Sequence, residues 1–160
     1  MNWDAVGAIA EGLGAIGVIL TVVYVALQIR QNSEAVKGST EQELMSQEMA
    51  LYSMLARHAN VYRRGCTSMD DLDLDERVEF EHLVTAVMSQ LYSAFVQYQR
   101  KLIPESVWVA YCVDWPINIC QPGFKQAWTN IKASYPSEYR LALDQVSEEN
   151  LQADGNSPDC

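Results

Sequence analysis

Length, composition and charge exclude several classes of protein. The chain has 160 residues, of which 49% are apolar, and a formal net charge of −10, which suits one compact domain with at most one appended segment. A surface of this sign repels phosphate backbones, so we expect no nucleic-acid partner. It also disfavours broad docking on anionic lipid, so attachment to a membrane would require an apolar segment.

Such an apolar segment opens the chain. Residues 5–29 contain a single charged side chain, and these 25 residues would reach about 37 Å as a helix, enough to cross a hydrocarbon core of roughly 30 Å. Trp3 and Tyr24 suit the two membrane interfaces, and the apolar run ends at Arg30. We therefore predict a transmembrane anchor helix over residues 1–32, in contact with membrane lipids.

Two other interpretations of this segment compete with an anchor. A cleaved signal peptide normally begins with Lys or Arg and has a shorter apolar run, whereas neither residue occurs before the helix here. A buried core helix of a soluble protein would be unusually thin, because residues 7–17 are mostly small and include Glu11. Both alternatives describe a mature product without a membrane anchor.

The basic residues predict an orientation. Arg30 and Lys37 follow the apolar helix, and no Lys or Arg precedes it. Because basic residues are enriched in cytoplasmic segments, we expect a single-pass protein of the bacterial inner membrane with its C-terminal domain in the cytoplasm.

One face of the predicted anchor is rich in small and polar residues. Steps of three and four residues place five of them along one stripe: Gly7, Glu11, Gly14, Gly17 and Thr21. Large aliphatic residues such as Leu13 and Leu20 occupy the opposite side. Since helices associate in lipid through close contact at small residues and through interhelical hydrogen bonds, we predict that this stripe is the interface of a homo-oligomer.

Glu11 has two interpretations within that stripe. A carboxylate inside a membrane span is costly and usually faces protein or water. In one interpretation, the side chain only adds hydrogen bonds between helices. In the other, copies of Glu11 form a ring at the mouth of a cation-conducting pore.

Three segments carry a resemblance to a known group of proteins. The stretches Ile9–Val18 and Tyr24–Asn32, and the later patch Gln121–Phe124 followed by Trp128, resemble a family of small, uncharacterised bacterial membrane proteins. Those proteins open with one transmembrane helix and continue into a helical cytoplasmic domain. The resemblance implies location and architecture, and it implies no catalytic residue.

Residues 33–146 are predicted to form a helical bundle domain, and residues 147–160 a polar, flexible tail. Capping-box patterns at residues 39–43 precede an amphipathic helix that runs to Gly65. Whether this helix continues the anchor depends on Gly38, because a glycine costs a helix only about 1 kcal/mol.

Four further helices are expected after Gly65. They are predicted to start at Asp73, which begins a capping box, at Pro104, near Phe124 and near Ser137. The prolines between residues 115 and 123 predict an irregular connection. Since no strand-like alternation of useful length occurs, the class is all-α: one N-terminal transmembrane helix followed by an antiparallel bundle of about four to five amphipathic helices.

Two acidic motifs imitate metal sites. Glu79–His82 has the E-x-x-H spacing of di-metal helical bundles, but Leu55 stands where a second copy, ending at His58, would need a carboxylate. Asp71–Asp75 imitates the start of a calcium loop, but Glu76 occupies the position that requires glycine. We predict no metal site, no cofactor and no catalytic residue.

The four cysteines contain no C-x-x-C pair: Cys66, Cys112, Cys120 and Cys160. We expect reduced, mostly buried thiols. A Cys112–Cys120 disulfide is the alternative, and it would require an oxidising compartment.

A group of aromatic residues in the second half of the chain recurs at helical spacing: Trp108, Tyr111, Trp115, Phe124 and Trp128. Such residues are expected to form a core. A ligand pocket is the alternative.

These expectations describe a non-enzymatic, membrane-anchored structural or scaffold subunit that self-associates through its transmembrane helix. Two alternatives remain from the same stripe. One is a homo-oligomeric cation channel with a ring of Glu11 side chains, and the other is an accessory subunit of a larger membrane-protein complex.

Overall fold

The computed structural model describes the backbone of residues 3–153 and the side chains of residues 11–146. Within these residues the chain is all-α, so the expected fold class is confirmed. It divides into two compact units, Met1–Ser39 and Thr40–Cys160. The helices are α1 (Trp3–Arg57), α2 (Ala59–Thr67), α3 (Leu74–Gln99), α4 (Glu105–Tyr111), α5 (Trp115–Cys120), α6 (Pro122–Ile131) and α7 (Ser137–Ala153), with 3₁₀ turns at Met69–Asp71 and Lys132–Ser134.

Helix α1 includes Gly38 and ends at Arg57, before the predicted end at Gly65. The chain leaves the helical conformation at His58, where φ is −110° and ψ is 22°. The His58 Nδ1 atom lies 2.5 Å from Oε1 of Glu79 on α3. Helix α2 then places Gly65 against the ring of Phe80. These tertiary contacts accompany the break, and the spacing of apolar residues in the sequence contains no signal for them.

The capping box at the start of α3 forms as predicted. Oδ1 of Asp73 accepts a hydrogen bond from the backbone N–H of Glu76 at 2.9 Å, and Oε2 of Glu76 accepts one from the N–H of Asp73 at 3.2 Å. The guanidinium of Arg64 on α2 donates to both carboxylate oxygens of Glu76 at 2.8 Å. The hydrogen bonds from Arg64 and Asp73 hold the pKa of Glu76 below its usual range. The pair links α2 to the start of α3.

The expected irregular connection between residues 115 and 123 is wrong, because a short helix, α5, fills most of it. Pro116 lies in the first turn of α5 and Pro122 in the first turn of α6, where the missing N–H of proline has no helical partner to lose. Trp115 is buried, and its Nε1–H donates to the carbonyl oxygen of Leu143 on α7 at 3.1 Å. Both prolines therefore start helices.

Helices α2 and α6 meet at two glycines. A Cβ added to Gly123 would overlap the carbonyl oxygen of Gly65, and one added to Gly65 would overlap the ring of Phe80. Phe124 and Trp128, further along α6, are buried in the core. The Pro-Gly…Trp patch of the sequence thus forms the α6 side of a close helix crossing.

The core of the second unit surrounds Tyr139. Its side chain is fully buried, and its hydroxyl donates to the carbonyl oxygen of Met88 at 3.1 Å. The ring centroid lies 5.1 Å from that of Tyr92 and 5.4 Å from that of Phe95. Helix α7 is held to α3 by this aromatic contact.

Helix α7 is longer than predicted. It runs to Ala153, so residues 147–153 of the expected tail are helical, and residues 154–160 lie outside the described part of the chain. The second unit also contains α2 and α5 as separate helices, where the sequence predicts one continuous helix to Gly65 and an irregular connection after residue 115.

Candidate functional site

The first candidate site is the surface of α1 in the first unit. Every side chain from residue 11 to residue 36 is exposed. Ten aliphatic side chains among them are exposed by 44–65%: Leu13, Ile16, Val18, Ile19, Leu20, Val22, Val23, Val25, Leu27 and Ile29. Of the described helices, α1 alone is long and apolar enough to cross a bilayer by length and composition. None of its apolar window is buried.

The predicted interface residues lie on this exposed helix. Glu11, Gly14, Gly17 and Thr21 are exposed, whereas Gly7 lies outside the residues whose surroundings are described. A Cβ added at Gly14 or Gly17 would meet nothing within 4 Å. The Thr21 hydroxyl donates to the carbonyl oxygen of Gly17 at 2.9 Å. At Gly14 and Gly17 the helix therefore carries no side chain, and no other described residue covers its backbone.

The second candidate site is a cavity of about 250 Å³ in the second unit, and no local pattern in the sequence predicts it. Its aliphatic lining consists of Leu51, Leu55, Val87, Met88 and Leu91. Its aromatic lining consists of Tyr52, Tyr62, Tyr111, Trp115 and Phe124. Four polar side chains complete the wall: Glu48, Gln90, Asp114 and Asn118. Six helices, α1 to α6, contribute these residues, except for Asp114, which lies between α4 and α5.

The Tyr111 hydroxyl is the unusual polar group of this cavity. Its oxygen is shielded from solvent, and it lies near Glu48 and Gln90 without forming a hydrogen bond of good geometry with any described residue. Burial, followed by the charge of Glu48, raises the pKa of Tyr111 to about 12. Burial and the charges of Glu48 and Asp114 also raise the pKa of Tyr52. The carboxylate of Glu48 therefore lies near the hydroxyls of both tyrosines.

The aromatic group identified in the sequence divides between core and cavity. Trp108 and Trp128 are buried core residues, and Trp108 stacks on Tyr98 with ring centroids 6.0 Å apart. The other three members, among them Tyr111, line the cavity. Glu48 and the tyrosines of α1 and α2 were missed, because they lie some 50 positions or more from Tyr111 and no local pattern connects them.

Comparison with family models, with curated proteins and with solved structures finds no match to this chain. The resemblance to small bacterial membrane proteins therefore stays a prediction.

The E-x-x-H residues have structural partners. Glu79 pairs with His58, and Nδ1 of His82 lies 2.7 Å from the carbonyl oxygen of Val78. In the described part of the chain, no group of three or more His, Cys, Asp or Glu residues could hold a metal ion.

The cysteines differ from the expectation of four reduced thiols. Cys66 and Cys112 are free and buried, and burial raises the pKa of Cys66 to about 11 and that of Cys112 to about 12. Cys120 is disulfide-bonded. Because Cys112 is free, the alternative Cys112–Cys120 disulfide is wrong as well.

Proposed function

We propose that this chain is a non-enzymatic, single-pass subunit of the bacterial inner membrane that self-associates through α1 and presents its helical unit to the cytoplasm. The observation that carries the proposal is the exposed aliphatic surface of residues 13–29. At roughly 1–2 kcal/mol for each of the ten partly exposed side chains, leaving it in water would cost on the order of 10–20 kcal/mol. Insertion into lipid would remove these aliphatic side chains from water and avoid that cost.

The polar face of the same helix supports self-association. Open space surrounds Gly14 and Gly17, and close backbone approach at small residues is a main source of helix association in lipid. Glu11 lies on the same face, where a neighbouring helix or water would compensate the cost of placing a carboxylate in the membrane. Both features favour a helix neighbour along this face.

The test is the particle mass of the full-length protein in a mild, uncharged detergent. We expect an oligomer. We also expect Gly14→Leu to shift it to the monomer, because the leucine side chain would prevent the backbone of a second helix from approaching at this position. Gly12→Leu is the matched control: it introduces the same side chain on the opposite face, at another glycine with nothing within 4 Å, and should leave the mass unchanged.

Two results would end the scaffold proposal. One is a monomeric wild-type protein, and the other is an oligomer that Gly14→Leu does not alter. A particle that contains a second polypeptide would instead favour the accessory-subunit alternative. Glu11 is the observation that favours the channel alternative, which requires cation flux into reconstituted vesicles that Glu11→Gln diminishes.

A further inference from the structure

We propose that the cavity of the second unit binds a small organic cation, namely a protonated amine or a quaternary ammonium group attached to an apolar body. This inference concerns a site in the region Thr40–Cys160, and it does not depend on the proposed self-association of α1. Size, charge and hydrogen-bonding capacity each contribute to it.

The size and the walls of the cavity select a small, largely apolar ligand. The volume of about 250 Å³ lies close to the lower end of the range for small-molecule sites, roughly 300–1,000 Å³. Ten of the fourteen lining residues are aliphatic or aromatic. Contact with these walls would remove the apolar part of a ligand from water, which is the main favourable term in binding such a group.

The charge of the cavity selects a cation. Two carboxylates line it, the partly buried Glu48 and the exposed Asp114, and the lining contains no Lys, Arg or His. An anion entering this site would be repelled by both carboxylates and would lose hydration without compensation. A cation would be attracted by both carboxylates.

Two hydrogen-bond donors of the wall are engaged outside the cavity, which leaves fewer groups to hold an anion. The indole N–H of Trp115 donates to Leu143, and the side-chain amide of Gln90 donates to the carbonyl oxygen of Leu44 at 3.2 Å. The rings of Tyr52 and Tyr111 lie near the carboxylate of Glu48 in the wall of the cavity. Aromatic rings near a carboxylate are the known surroundings of ammonium groups.

The probe for this proposal is benzyltrimethylammonium, whose uncharged isostere is neopentylbenzene. Titration calorimetry on the full-length protein in uncharged detergent should detect saturable binding of the cation and much weaker binding of the isostere. Phenylacetate, an anion with the same ring, should not bind. Glu48→Gln, which keeps the shape of the side chain but removes a partly exposed charge partner, should weaken binding of the cation by about fivefold.

Two further variants locate the site. Glu43→Gln removes the same charge from an exposed position of α1 outside the cavity and should leave the affinity unchanged. Leu55→Trp, at a half-buried lining position, should fill the cavity and abolish binding. Circular dichroism with a thermal melt checks that each variant is folded.

Three outcomes would overturn the proposal. The first is the absence of saturable cation binding to the folded wild-type protein. The second is equal binding of the cation and its isostere, which would identify a purely apolar pocket. The third is an equal loss of affinity in Glu43→Gln and Glu48→Gln, which would mean that the cation responds to the net charge of the protein and not to this cavity.

Discussion

At the scale of single residues, Tyr139 illustrates how a polar atom is accommodated in this core. Its hydroxyl is buried, and it is satisfied by the hydrogen bond that it donates to the carbonyl oxygen of Met88. Burial raises the pKa of Tyr139 well above its usual value. The ring therefore remains neutral, and its hydroxyl remains a donor throughout the pH range in which the protein is handled.

The predicted consequence is a loss of stability in Tyr139→Phe. The substitution keeps the ring but leaves the carbonyl of Met88 without this donor, and we expect unfolding to become easier by about 1–2 kcal/mol. Chemical denaturation of the full-length protein, followed by circular dichroism, measures the change.

Tyr135→Phe is the control. The Tyr135 hydroxyl lies 3.1 Å from the exposed Ser89 hydroxyl, where water can replace the lost bond, so the effect should be smaller. Equal effects of the two variants would contradict the role assigned to Tyr139.

At the scale of elements, the crossing of α2 and α6 depends on glycine. The carbonyl oxygen of Gly65 occupies the space where Gly123 would carry a Cβ. Because this neighbour is backbone, it cannot move aside as the end of a flexible side chain would, and a larger residue would separate the two helices. The same separation would disturb Phe124, which is fully buried and also lines the cavity.

We therefore expect Gly123→Ala to destabilise the second unit by about 1–3 kcal/mol, the usual cost of overfilling a packed interior. Thermal melting of the full-length protein measures this effect. Gly38→Ala is the matched control, since Gly38 is helical and a Cβ there would meet nothing within 4 Å. The interpretation of the crossing would be wrong if both alanine variants melted at the same temperature as the wild type.

At the scale of the whole molecule, two features bear on membrane orientation. Arg30 and Lys37 follow the apolar helix, which predicts a cytoplasmic second unit. Cys120, however, is disulfide-bonded, and disulfides persist in oxidising compartments and are rare in the cytosol. The redox state of Cys120 in living cells therefore reports the orientation.

The proposed cytoplasmic orientation predicts that Cys120 is reduced in cells. Cells are quenched in acid, and the protein is denatured and treated with a maleimide that increases its mass at each free thiol. We expect Cys120 to be labelled without prior reduction, with Cys120→Ser as the control that loses one label. Labelling that appears only after reduction would contradict a cytoplasmic domain and place the second unit on the oxidising side.

The parts of the fold that could be predicted from the sequence depend on interactions between residues a few positions apart. The all-α class, the long apolar helix and the capping box of Asp73 and Glu76 follow from spacing and from short-range hydrogen bonds, which a sequence contains directly. The break at His58 was not predictable, because no proline or glycine marks it. The helix α5 was missed because Pro116 and Pro122 were interpreted as helix breakers, although proline is also favoured in a first helical turn.

By itself, the sequence determined that the chain is helical and that residues 5–29 form an apolar segment, because both properties depend on neighbours within a few positions. Only the tertiary structure decided that Gly123 lies against Gly65 and that Glu48, Tyr111 and Trp115 share one cavity. These residues are separated by tens of positions, and their proximity results from the packing of several helices around a common core. No periodicity within one helix encodes that arrangement.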